Sequence, residues 1–128
     1  MQPLTAEWVT KAESDFAVME REGRVRKNPS YDGICFHAQQ CAEKYLKAIL
    51  SEYGLEPGRS HDLVQLLERL LPAHPLWEMF RVDLAYLSDF AVAYRYPGDS
   101  ATSDQSKDAI RRCRRFRAEA RRLLERVS

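Results

Sequence analysis

The residues best equipped for chemistry fall in two short stretches. His37, Gln40, Lys44 and Lys47 lie within roughly 80° of each other on a helical wheel, so one helix edge carries an imidazole, an amide and two ammonium groups. Arg95, Tyr96 and Asp99 form the second group, at a point where Pro97 and Gly98 must stop a helix. Arginine holds a phosphate through two parallel hydrogen bonds, whereas lysine acts as a point charge. Both groups therefore suit recognition of an anion. Each also has a plainer role. Arg95 at a helix C-terminus can complement the dipole and cap free carbonyls, and Asp99, four residues on, can pair with it. The lysine stripe can be a solvated edge with Glu43 offsetting its charge, or a polar seam facing a partner or an anionic ligand. His61, ahead of a leucine-rich segment, can pack or cap there.

Familiar catalytic signatures are missing. There is no Walker loop, GxGxxG, HExxH, GxSxG or EF-hand pattern. His37, His61 and His74 fall in different segments, and no two share the spacing of helical metal ligands, so neither a metal nor a cofactor is expected. The three cysteines, Cys35, Cys41 and Cys113, occupy apolar helical positions without CxxC spacing. They read as reduced core residues of a cytoplasmic protein.

The elements that must position these groups are all helical. Tyr31 to Tyr53 carries Ile34, Ala38, Cys41, Ala42, Tyr45, Ile49 and Tyr53 at spacings of three and four, which predicts a long amphipathic helix at the centre of the fold. A helix before it, capped by Thr5 and ending near Arg21, buries Trp8, Val9, Ala12, Phe16 and Met19, with Asp15 on the edge of the stripe as a solvated or paired carboxylate. Glu22 to Pro29 is a basic connector. Beyond a glycine–proline turn, Ser60 caps a short helix with Asp62 in its first turn and Leu63, Leu66, Leu67, Leu70 and Leu71 inward. Leu76, Phe80, Leu84, Leu87, Ala91 and Tyr94 mark a fourth helix, flanked by Trp77 and Phe90. Thr102 or Ser103 caps the last, whose inward stripe is Ile110, Cys113, Phe116, Ala120, Leu123 and Val127. Its outer face is crowded with arginines, from Arg111 and Arg112 to Arg122 and Arg126, with Asp108, Glu119 and Glu125 interleaved. That face suits a solvated helix, the phosphates of a nucleic acid or an acidic protein.

The fold class is thus all-α: an up-and-down bundle of four main helices plus a short fifth, in one domain spanning residues 1–128. A net charge of +1 makes no whole-chain case for nucleic acid or membrane. No run reaches the about eighteen apolar residues of a membrane span, and the N-terminal segment lacks the pattern of a signal peptide.

Four motifs occur together in order. Trp8, Ala12 and Asp15 give W-x3-A-x2-D, His37 to Leu50 reads HAQQCAEKYLKAIL, His61 to Leu63 reads HDL, and Arg95 to Pro97 reads RYP. This combination resembles the HEPN domain family (higher eukaryote and prokaryote nucleotide-binding) over nearly the whole chain. The resemblance implies an all-α bundle, a homodimer, and pairing with a small nucleotidyltransferase protein in a toxin–antitoxin-like module. It makes Lys44, in the EK pair, the first choice among the stripe residues for a nucleotide phosphate. Many HEPN proteins are metal-independent ribonucleases with an R-x4-6-H motif, which pairs a phosphate-binding cation with an acid–base group titrating near neutrality. Here Arg95 matches, but no histidine follows His74. The resemblance therefore implies a non-catalytic subunit in which Arg95, Lys44, His37, Tyr96, His61 and Asp99 bind a nucleotide, RNA or the partner. Two alternatives stand beside it: a ribonuclease using Arg95 with His37 or His61, and a plain helical dimerisation module.

Overall fold

A computed structural model describes residues 1–92 and 97–127, and among them every regular element is helical. Helix α1 spans Pro3–Gly23 and α2 spans Tyr31–Glu52. After α3, Leu63–Leu70, a 3₁₀ segment, Pro75–Phe80, leads into α4, Arg81–Ser88, and α5 covers Ser103–Val127.

The helix starts follow from local chemistry. Proline opens α1, where its missing N–H costs nothing; Gln2 precedes it without a side-chain cap, and Thr5 is buried inside the first turn instead of capping it. Ser30 Oγ accepts from Gly33 N at 3.0 Å at the start of α2. A β-carbon on Gly33 would come within 2.8 Å of that oxygen, which is why glycine fits there. The cap of α3 is Asp62, which accepts from the N–H groups of Val64 and Gln65; the expected cap, Ser60, instead accepts from Asp62 N. Thr102 and Gln105 close α5 reciprocally, each side chain accepting from the other's backbone N–H.

The fourth helix departs from expectation. Its first part winds as the 3₁₀ segment, whose three-residue repeat turns Trp77 and Phe80 inward together against Phe116, with ring centroids 5.3–5.6 Å apart. That tighter winding leaves Leu76 outward, 84% exposed, although the α-helical spacing placed it inside. The α-helix then ends at Ser88, so Ala91 lies beyond it. Tyr94, Arg95 and Tyr96 fall outside the described residues.

Contacts between elements fix the chain directions. Gln2 N donates to Glu52 and Ser30 N to Glu22, so α1 and α2 are antiparallel. The segment 54–62 then carries the chain back along α2. It depends on Gly54 and Gly58, both at positive φ, the left-handed region that glycine enters without strain. In consequence α3 runs the same way as α2, α4 returns, and α5 lies alongside α2 with Ala101 N bonded to Asp32 at 2.7 Å. Helix α2 is packed by α1, α3, α4 and α5. Tyr45, Leu46, Ile49 and Leu50 are therefore wholly buried, as are Cys41 and, within 1%, Cys35 and Cys113, all three as free thiols. None of the described helices is long and apolar enough to cross a membrane.

Candidate functional site: a polar seam along the central helix

Trp8, Ala12 and Asp15 recur at four and three residues on the α1 face that meets α2. Ala12 is fully buried, and its single methyl lets the two helices lie close. Asp15 therefore reaches across to α2. Its Oδ1 lies 2.7 Å from His37 Nδ1 and its Oδ2 2.5 Å from Lys44 Nζ. One carboxylate thus holds two residues of the polar stripe. With the ring proton on Nδ1, His37 donates to Asp15 and turns Nε2 outward.

A second carboxylate organises the stripe's inner side. Glu43, 3% exposed, lies 2.9 Å from His61 Nδ1 and 3.3 Å from Lys47 Nζ. Gln39 Nε2 donates to Glu43 at 3.1 Å and to the His61 carbonyl at 3.3 Å, while Gln40 donates to Gln39 at 2.7 Å. Lys47 is itself buried, its ammonium 5.6 Å from the centre of the Trp8 ring. Two buried ions this well satisfied hold each other in place, and removing one partner would strand the other.

The stripe is therefore neither a solvated edge nor an open row of cations. Lys44, partly exposed, and Lys47, buried, are committed to carboxylates of the same chain. His37 and His61 belong to separate centres, one on Asp15 and one on Glu43. Asp99 is exposed in the loop before α5, and Arg95 and Tyr96, its proposed companions, lie outside the described residues. No group of three or more His, Cys, Asp or Glu side chains among the described residues could hold a metal.

Residues that the sequence reading passed over carry the remaining polar structure. Glu13 accepts from Tyr45 Oη at 2.6 Å, from Arg117 through a two-pronged pair at 2.6 and 2.7 Å, and from Arg121 at 3.2 Å. Those Arg117 hydrogen bonds, more than the opposing effect of burial, hold the Glu13 carboxyl below its usual range. Burial first, and the Glu13 bond second, push the Tyr45 hydroxyl up. Asp83, 3% exposed on α4, takes both Arg112 and Arg115 of α5 at 2.6–3.0 Å. Glu20 takes the Arg114 fork at 2.6 and 2.7 Å. The signal for these pairs was present only as charge on opposite helices; nothing in one-dimensional spacing matches Glu13 to a residue 104 positions away.

A seam of buried, mutually bonded polar groups thus runs along the middle helix of an all-α bundle. The HEPN domain model matches residues 5–123, and the chain belongs to the HEPN domain family. A crystal structure of an archaeal HEPN homologue superposes with a TM-score of 0.74, at 21% identity and with 100% of both chains covered; at that identity the likeness concerns the fold. No match to a functionally curated protein was found. Three of the four motifs that carry the resemblance coincide with the seam: Trp8, Ala12 and Asp15, the EK pair, and the histidine of HDL all meet on α2. In this chain they are first of all the polar framework of the bundle.

Proposed function

We propose that this HEPN protein is a recognition subunit that works with a small nucleotidyltransferase in a two-component, toxin–antitoxin-like module, as a homodimer. The observation that carries the reading is the internal saturation of the seam. Asp15 binds His37 and Lys44, Glu43 binds His61 and Lys47, and so these charged groups hold the fold together. Arg95 is then the principal cation proposed for a nucleotide phosphate, with Tyr96 and Asp99 beside it in sequence and Lys44 sharing its charge with Asp15. Transfer chemistry belongs to the partner. The test is purification of the tagged protein from its own cells with mass spectrometry of what accompanies it. A stoichiometric small nucleotidyltransferase is expected, and self-association alone would defeat the proposal.

One observation favours a second reading. Asp15 orients His37 through Nδ1 and leaves Nε2 free to exchange a proton, the arrangement an acid–base histidine needs. A metal-independent ribonuclease would join this group to Arg95. RNA cleavage that survives EDTA and disappears in both Arg95→Ala and His37→Ala would select that reading over the first.

A further inference from the structure

Two adjoining recesses open at the end of the bundle where α1 passes into α2, away from the seam. One, of about 300 Å³, is lined by Glu20, Gly23, Arg24, Lys107, Ile110 and Arg114. The other, of about 180 Å³, runs from Arg26 and Lys107 to Ser103 and Ser106, with Val25, Pro29 and Tyr31 on its apolar side. Gly23, Lys107 and Ile110 border both. Lack of a side chain at Gly23 helps keep the floor low, since a β-carbon there would stand 3.0 Å from Ile110 Cδ1.

Charge is arranged differently here from the cross-helix arginines of α5. Along α5, Arg112, Arg114, Arg115, Arg117 and Arg121 are each bound to a carboxylate of another helix. Arg26 and Lys107 form no ion pair or side-chain hydrogen bond with another described residue, and Arg24 is only 4.0 Å from Glu20, whose carboxylate the Arg114 fork already occupies. The connector that carries Arg26 is held in shape: Glu22 accepts from Ser30 N at 2.8 Å, its carbonyl accepts from Val25 N, and Asn28 sits in the left-handed region at φ 53°. The cations are therefore set around a formed recess by a pinned turn.

We infer that this corner binds a phosphate-bearing small molecule with a flat apolar remainder. Its phosphate would lie between Arg26, Lys107 and Arg24, within reach of the Ser103 hydroxyl, and its flat part against Tyr31, Pro29 and Val25. This site is separate from the seam and from the Arg95 corner.

Phenyl phosphate is the probe, titrated into the full-length protein while backbone amide resonances are followed, with phenol and inorganic phosphate as controls. Shifts confined to residues 23–34 and 103–110 are expected, with phenol and inorganic phosphate each binding about tenfold more weakly. Arg26→Ala combined with Lys107→Ala, both at exposed positions, should lower phenyl phosphate affinity at least about tenfold with an unchanged circular dichroism spectrum. Lys44→Ala should leave it unaltered. No saturable shift at millimolar probe, an unaffected double variant, or equal binding of inorganic phosphate would each overturn the inference. Co-purification of a nucleotidyltransferase is independent of all three outcomes, so the two proposals can fail separately.

Discussion

At the residue scale, Asp15 shows how a side chain of modest prospects becomes central. Its edge position on α1 suits a surface carboxylate, yet with a side chain 10% exposed it faces His37 and Lys44 across the helix interface. Asp15→Ala should lower the unfolding free energy by about 1–3 kcal/mol, since it leaves Lys44 and His37 without their shared acceptor. Asp15→Asn, which keeps one acceptor, should lose less. Urea denaturation would decide, and equal stability of all three proteins would show that the contact contributes nothing. Glu13 and Glu20 are held below their ordinary value of 4.5, chiefly by hydrogen bonds from Arg117 and Arg114. A group depressed in the folded state adds stability above its unfolded pKa and loses it as pH falls through the folded one. His74 is likewise lowered from 6.5, by burial and then by Arg126, and its Nε2 meets the Tyr53 hydroxyl. The melting temperature should thus be level between about pH 7 and about pH 8, fall gently below about pH 6.5 and fall steeply below about pH 4.5. Glu13→Gln should flatten the steepest part. A variant curve parallel to the parent's throughout would remove Glu13 from that account.

At the scale of elements, caps and cross-helix staples set the boundaries. Gly33→Ala would force Ser30 Oγ from its place at the start of α2 and should cost about 1 kcal/mol, close to the effect of Ser30→Ala. If the double variant loses twice as much as either single one, the two residues do not share a cap. The short α4 depends on Asp83, its buried bond to two α5 arginines. Asp83→Ala should lower stability by about 2–3 kcal/mol, less than a wholly buried pair because Arg115 is half exposed. The long helices were plain in the sequence because apolar residues at three and four outline each stripe. The fourth was not, because Leu76 to Phe80 satisfies an α-helical spacing as well as the tighter 3₁₀ winding. Only the aromatic stack of Trp77 and Phe80 on Phe116 distinguishes the two.

At the scale of the whole molecule, the arginine face of α5 changes meaning. Read along one helix it is a basic surface suited to phosphates. In the fold Arg112 and Arg115 belong to Asp83, Arg114 to Glu20, and Arg117 and Arg121 to Glu13. Charge already matched releases few counterions on meeting RNA, so this face should add little to nucleic-acid affinity. Arg117→Ala should therefore lower the melting temperature while leaving RNA affinity and its salt dependence unchanged, as read by thermal melts and filter binding. A shallower salt slope in the variant would return Arg117 to the role of a phosphate ligand.

The sequence alone determined the helical class, the central place of α2, the buried thiols and the motif set of the HEPN family, because each is written in local periodicity or in short ordered patterns. It also singled out His37, Lys44 and His61, which the structure places on one seam though on two carboxylates. What it left undecided was partnership. Whether Lys44 is free or paired, whether α5 is basic or neutralised, and whether α3 follows or opposes α2 all depend on residues far apart in the chain. Ion pairs leave no period in a sequence, and their partners are chosen only when the helices pack.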